Sequence, residues 1–164
     1  MKIFRLLVFT TALAGLSACS DDDSSSNSNA AVAGTYNLTM VIAPEPVDFD
    51  KNTVSSLNLM MESPCYSGSK IILNDNGTFA ANYSSVFFAS DTGCITDQSS
   101  GTWAVEGDDL ILTNTLLEPS SSTEYVLNDD TITLTMINAS YPNRDEQGEP
   151  VYSTGTVTLT YTKE

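Results

Sequence analysis

Residues 71–83 read Ile71-Ile72-Leu73-Asn74-Asp75-Asn76-Gly77-Thr78-Phe79-Ala80-Ala81-Asn82-Tyr83. Two short runs flank four turn-forming residues. Asn, Asp and Gly tolerate left-handed backbone, so the middle predicts a tight turn and the flanks two paired strands. The same period-two alternation continues on both sides. Upstream, Tyr36, Leu38, Met40 and Ile42 alternate with Asn37, Thr39 and Val41. Downstream, Trp103 and Val105 face one side, Gly107-Asp108 turns, and Leu110 to Thr113 returns. Tyr125 and Leu127 lead into Asn128-Asp129-Asp130, after which Ile132, Leu134 and Met136 alternate with threonines. Val157, Leu159 and Tyr161 form a last strand. About eight short strands joined by tight turns predict an all-β, antiparallel fold, a barrel or a sandwich. Closure into a barrel would remove the exposed sheet edges.

One short pattern opens four of these strands: Gly34-Thr35-Tyr36, Gly77-Thr78-Phe79, Gly101-Thr102-Trp103 and Gly155-Thr156-Val157. Glycine permits a turn or bulge, threonine points outward, and the third residue is expected to plug the core. Two stretches break the β pattern. Residues 139–152 read as a polar loop with two prolines. Residues 43–64 carry Pro44, Pro46 and an acidic run, followed by Val54, Leu57, Met60 and Met61 at helical spacing. That spacing predicts one short helical segment ending before Pro64. Met60 and Met61 are expected to pack beneath one end of the fold, with a ligand lid as the alternative.

The N-terminus carries an address. Lys2 and Arg5 precede an apolar stretch, Leu6 to Leu16, which is too short to span a bilayer but suits the core of a signal peptide. Leu16-Ser17-Ala18-Cys19 resembles the lipobox of bacterial lipoproteins. The resemblance implies cleavage after residue 18, lipid on Cys19 and a membrane as partner. Residues 19–32 then form a flexible acidic and Ser-rich tether, leaving residues 33–164 as one domain. Asp21-Asp22-Asp23 just past the cysteine resembles a surface-export tag of Gram-negative lipoproteins. It implies an outer-membrane, cell-surface location, with the periplasmic face as the alternative.

Composition excludes several functions. Loss of Lys2 and Arg5 with the signal peptide lowers six basic side chains to four against 21 acidic ones, a net charge of −17. Such a surface cannot neutralise phosphates, so nucleic acid is excluded as a partner. With no histidine in the chain, every imidazole-based hydrolytic or zinc mechanism is absent. Only carboxylate-pair hydrolysis survives as enzyme chemistry, and most acids stand in turn dipeptides such as Asp108-Asp109. Cys65 and Cys94 remain after Cys19 is assigned to lipid. In an exported chain they are expected to form a disulfide, with a pair of buried thiols as the alternative.

Taken in order, Gly34-Thr35-Tyr36, Asn58-Leu59-Met60-Met61-Glu62 with Cys65, Asn74 to Phe79, Cys94, and Gly101-Thr102-Trp103 with Asp109-Leu110 resemble the lipocalin-like domains of Bacteroidota-group lipoproteins. The resemblance spans roughly residues 33–162. It implies an up-and-down barrel, a non-enzymatic binding module, and a small apolar molecule or a partner protein as its occupant. An accessory lipoprotein of an outer-membrane assembly is the competing reading. One site has its own chemistry. Asp48, Asp50 and Asn52 place oxygen side chains at alternate positions, as calcium loops do. The Val54 carbonyl would follow, and Glu62 could swing in from the next turn. Thr53 stands where such loops have glycine, and a solvated acidic loop is the alternative.

Overall fold

The structure, a computed structural model, describes residues 30–89, 93–116 and 119–164. The expected signal peptide, residues 1–18, the expected lipidation site Cys19 and most of the expected tether lie outside the described residues. Nine strands form one antiparallel sheet. They are β1 (Gly34–Val47), β2 (Ser56–Asn58), β3 (Lys70–Leu73), β4 (Thr78–Val86), β5 (Cys94–Glu106), β6 (Asp109–Asn114), β7 (Ser121–Asn128), β8 (Thr131–Arg144) and β9 (Pro150–Lys163). From β3 to β9 each strand pairs with the next in sequence. The first residues of β1, Gly34 to Asn37, pair with β3, while its Tyr36–Ile42 stretch pairs with β9 and closes the sheet. The result is an eight-stranded up-and-down barrel, with β2 added along the far part of β1. Closure leaves no unpaired edge along most of the circumference, as the alternation implied.

The third residue of each Gly-Thr-X triplet plugs the interior. Tyr36, Phe79, Trp103 and Val157 are all buried, joined by Ile71, Leu110, Ile132 and Leu159. Trp103 also satisfies its ring N–H, which donates to the Asn74 carbonyl at 2.9 Å. The 74–77 turn is thereby pinned to β5, and Gly77 sits in the left-handed region at φ 79°. Gly101 answers a different need. A Cβ there would run into the Thr113 carbonyl of the neighbouring strand and reach within 3.1 Å of the Phe79 ring. Only a residue without a side chain lets these backbones approach so closely.

Two bulges correct the sequence reading. The β1–β9 register slips between Leu38 and Met40, so the inward set runs Tyr36, Leu38, Val41, Ala43. Met40 faces outward, 42% exposed. One extra residue moves every following side chain to the other face. A second slip, between Met136 and Ala139, bends β8 and leaves Ile137 outside.

Residues 139–152 are not a loop. They continue the β8–β9 hairpin from Ala139↔Gly155 to Arg144↔Pro150, leaving only residues 145–149 as the connection. This part of β8 pairs with β9 alone, so Pro142 costs no ladder hydrogen bond on its free side. The predicted helical segment is two separate 3-10 turns, Leu59–Met61 and Pro64–Tyr66, and the second begins at Pro64 instead of ending before it. Leu59 and Tyr66 are their buried residues. Met60 is half-buried against the core, but Met61 is 70% exposed and packs beneath nothing.

Candidate functional site

The end of the barrel opposite the 74–77 turn gathers the candidate site. Here Phe88 after β4, Cys94 at the start of β5 and the end of the β8–β9 hairpin meet the segment between β1 and β3. Cys65, in the second 3-10 turn, is disulfide-bonded to Cys94 at the start of β5, with Cα atoms 5.4 Å apart. The expected pairing holds, and it fastens this segment to the rim.

Inside that rim lies an open cavity of about 500 Å³, lined by Tyr66, Tyr83, Val86, Ile95, Met136 and Tyr152 among others. A deeper space of about 200 Å³ lies among Tyr125, Leu134, Leu159 and Tyr161. Tyr83 and Met136 line both, so the two are neighbouring chambers of one interior. Apolar walls with a few polar groups are the usual make-up of a small-molecule site.

Those polar groups are phenols. Tyr66 and Tyr83 form a tilted pair with ring centroids 6.4 Å apart. Tyr125 and Tyr161 form an edge-on pair at 6.3 Å. Among the described residues none of these four hydroxyls makes a hydrogen bond, yet none is sealed from solvent. All four residues line the chambers. Burial pushes the phenols of Tyr83 and Tyr125 up to about 12, with Asp97 adding to the rise at Tyr83. Burial raises Tyr66 and Tyr161 as well, helped at Tyr66 by Tyr83 and Tyr152, and at Tyr161 by Tyr125 and Tyr83. All four stay protonated at ordinary pH. Each can donate a hydrogen bond.

Residues 32–134, more than half of the chain, match the family model of the lipocalin-like domain. The chain belongs to the lipocalin-like family. The match covers β1 through the first residues of β8, and β9 completes the barrel beyond it. No curated protein and no solved structure matches the chain. The family and the closed barrel carry the expected fold, which is typically one for binding a small ligand.

The acidic loop of the lipocalin-like domain sits on the same rim. Asp48, Asp50 and Glu62 each bring a carboxylate oxygen within 4.8 Å of the others. Glu62 is only 4% exposed and accepts the Phe49 N–H at 2.9 Å. Asp48 Oδ2 accepts the Thr53 N–H at 3.0 Å. Asp48 Oδ1 is the one sealed side-chain polar atom among the described residues that has no hydrogen-bond partner. Asn52 uses its side chain to hold the loop, donating to Asp50 Oδ2 and accepting the Val54 N–H. The Val54 side chain is 67% exposed. Thr53, at the position where calcium loops have glycine, nevertheless takes the left-handed conformation at φ 72°. A β-branched residue holds that conformation only under constraint, at a cost of about 1–3 kcal/mol.

A row of rings joins the loop to the cavity. Phe49 stacks on Phe88 at 5.9 Å, and Phe88 stacks on the cavity residue Tyr152 at 4.3 Å. Arg144 lies 5.0 Å over the Phe49 ring and donates from Nε to the Phe49 carbonyl at 2.7 Å. The Tyr152 hydroxyl donates to the Val86 carbonyl. The sequence reading placed the cysteines and the acidic cluster but missed the cavity tyrosines. Their signal was available: four inward positions carry a phenol where a filled core would favour Leu, Ile or Phe.

Proposed function

We propose that this lipocalin-like protein binds a small, mainly apolar molecule through the open end of its barrel. The observation that carries this reading is the two-chambered interior with four donor hydroxyls lacking a protein partner. An unpaired polar group in an apolar setting costs free energy unless something pairs with it, and a bound molecule can do so. The test is titration with Nile red, a neutral dye that brightens and shifts to the blue in apolar surroundings. Saturable one-to-one uptake is expected, and Met136→Trp, which fills the wall between the chambers, should abolish it. No uptake by the wild-type domain refutes the reading.

The molecule is proposed to work as an outer-membrane lipoprotein, held by lipid on Cys19 and facing the cell surface. The N-terminal charge, apolar stretch and Leu-Ser-Ala-Cys order support the anchor, and the acidic triplet supports the surface over the periplasmic face. Cys19→Ser should leave unprocessed or soluble protein in a detergent-phase partition; unchanged partition would end the anchor reading. Calcium at Asp48, Asp50 and Glu62 is proposed as a structural ion. The sealed, partnerless Asp48 Oδ1 beside a buried Glu62 favours it, because carboxylates gathered without a cation repel one another. Binding to the folded state alone raises the melting temperature. The soluble domain should melt higher in millimolar calcium than in chelator, and Asp48→Ala with Asp50→Ala should remove the difference. Equal wild-type melts dismiss the ion.

A further inference from the structure

The geometry points to an uncharged ligand whose oxygen atoms accept hydrogen bonds from the tyrosine pairs at the two depths of the cavity. This rests on the ligand-binding reading above and narrows it to a chemical class. Among the described residues, no lysine, arginine, aspartate or glutamate lines either chamber. The basic side chains of the domain are occupied or elsewhere. Arg144 is bonded to the Phe49 and Gly148 carbonyls, Lys163 Nζ donates to the Ala31 carbonyl, and Lys51 and Lys70 are exposed. An anionic head group would thus enter without a countercharge, close to Asp97 and within a strongly acidic protein. Leaving water for such a site is costly unless the charge is paired. A cationic head would find no carboxylate among the described lining residues either, since Asp97 beside Tyr83 is exposed and outside both linings.

What the walls do offer is donors. Tyr66 and Tyr83 stand in the outer chamber, Tyr125 and Tyr161 in the inner one, and Tyr83 borders both. Their phenols stay protonated, so they present O–H groups and no charge. A ketone, ester, ether or alcohol on an apolar skeleton satisfies them while the skeleton fills the space between Leu134, Met136 and Leu159. An alkane would fit the walls but leave the hydroxyls unmet. The selection is therefore for neutral oxygen, at fixed positions, within an apolar frame.

The experiment is displacement of Nile red by four molecules sharing one alkyl chain: dodecan-1-ol, 1-chlorododecane, dodecanoate and dodecyltrimethylammonium, each below its aggregation threshold at pH 7.5. The alcohol should compete at a concentration at least about tenfold lower than either ion. Tyr125→Phe with Tyr161→Phe keeps the rings and removes two donors, so it should weaken the alcohol by about two- to tenfold per hydroxyl engaged. It should leave 1-chlorododecane unchanged. Tyr83→Phe provides an independent variant at the junction of the chambers should the double variant melt early. Dodecanoate or the ammonium competing as well as the alcohol overturns the inference while leaving ligand binding intact. So does an alcohol affinity unmoved in well-folded Phe variants. Failure of Nile red to bind at all removes the ligand reading and this inference with it.

Discussion

Replacing both Cys65 and Cys94 with serine removes the covalent tie at the rim. The bond closes a loop of sequence separation 29. In the chain-entropy account, opening such a loop in the unfolded state costs the folded state about 3.6 kcal/mol of relative stability. The barrel domain spans about 130 residues, so at about 2.1 cal/mol/K per residue its unfolding entropy is about 270 cal/mol/K. The melting temperature should therefore drop by about 13 °C. Differential scanning calorimetry of the soluble domain measures this directly, and reductant should reproduce the shift in the wild type. Tyr66 and Ile95, next in sequence to the two cysteines, both line the outer chamber. Nile red affinity should fall more than the melting data alone require at a temperature where both forms are folded. A double variant melting within about 3 °C of wild type would refute the reasoning, since it would mean that the unfolded chain gains little freedom from cleavage.

Gly101→Ala forces a methyl into the Thr113 carbonyl and toward the Phe79 ring; urea unfolding should show a loss of about 3 kcal/mol, and an unchanged midpoint would mean the strands part without penalty. Arg144→Ala removes two donor bonds, to Phe49 and Gly148. A loss of about 2 kcal/mol is expected, together with easier proteolysis in the 48–53 loop, whereas protection equal to wild type would show that the rings alone hold it. The phenols of Tyr83 and Tyr125, raised from 10 to about 12, keep protons in the folded state that the unfolded chain has released. The stability they confer is complete below pH 10 and is lost as pH rises from 10 to 12. Urea midpoints across that range should fall, less steeply in Tyr125→Phe; full phenolate absorbance near pH 10 in a still-folded protein would contradict this.

The parts of the fold legible in sequence were those fixed by local chemistry. The Asn74–Gly77 turn follows from which residues tolerate left-handed backbone, and the four buried third residues from which ones face a core, but the Gly101 and Gly155 triplets lie inside β5 and β9 instead of opening them. The meeting of Asp48 and Asp50 follows from alternation within one loop, and only Glu62 needed the chain to fold back. What local pattern could not show was register. A bulge at Leu38–Met40 inserts one residue without altering composition, so Met40 and Val41 exchange faces unseen. The 139–152 stretch failed for another reason: at a free edge, polar residues and proline are as well suited to a strand as to a loop. The cavity was hidden because a tyrosine facing a void and a tyrosine packed in a core look the same in a list of alternating residues.

The pairing of β1 with β9 has a consequence for when the molecule can fold. It joins residues 36–42 to residues 158–163, the two extremes of the domain. Until the last strand arrives, β1 and β8 both present open edges, and the inward faces of the growing sheet have no opposite wall. Contacts of such long sequence separation form late, because the whole intervening chain must be ordered first. Synthesis from the N-terminus thus yields no closed intermediate. Hairpins from β3 to β8 can pair as they emerge, but the barrel closes only once nearly the whole chain is available.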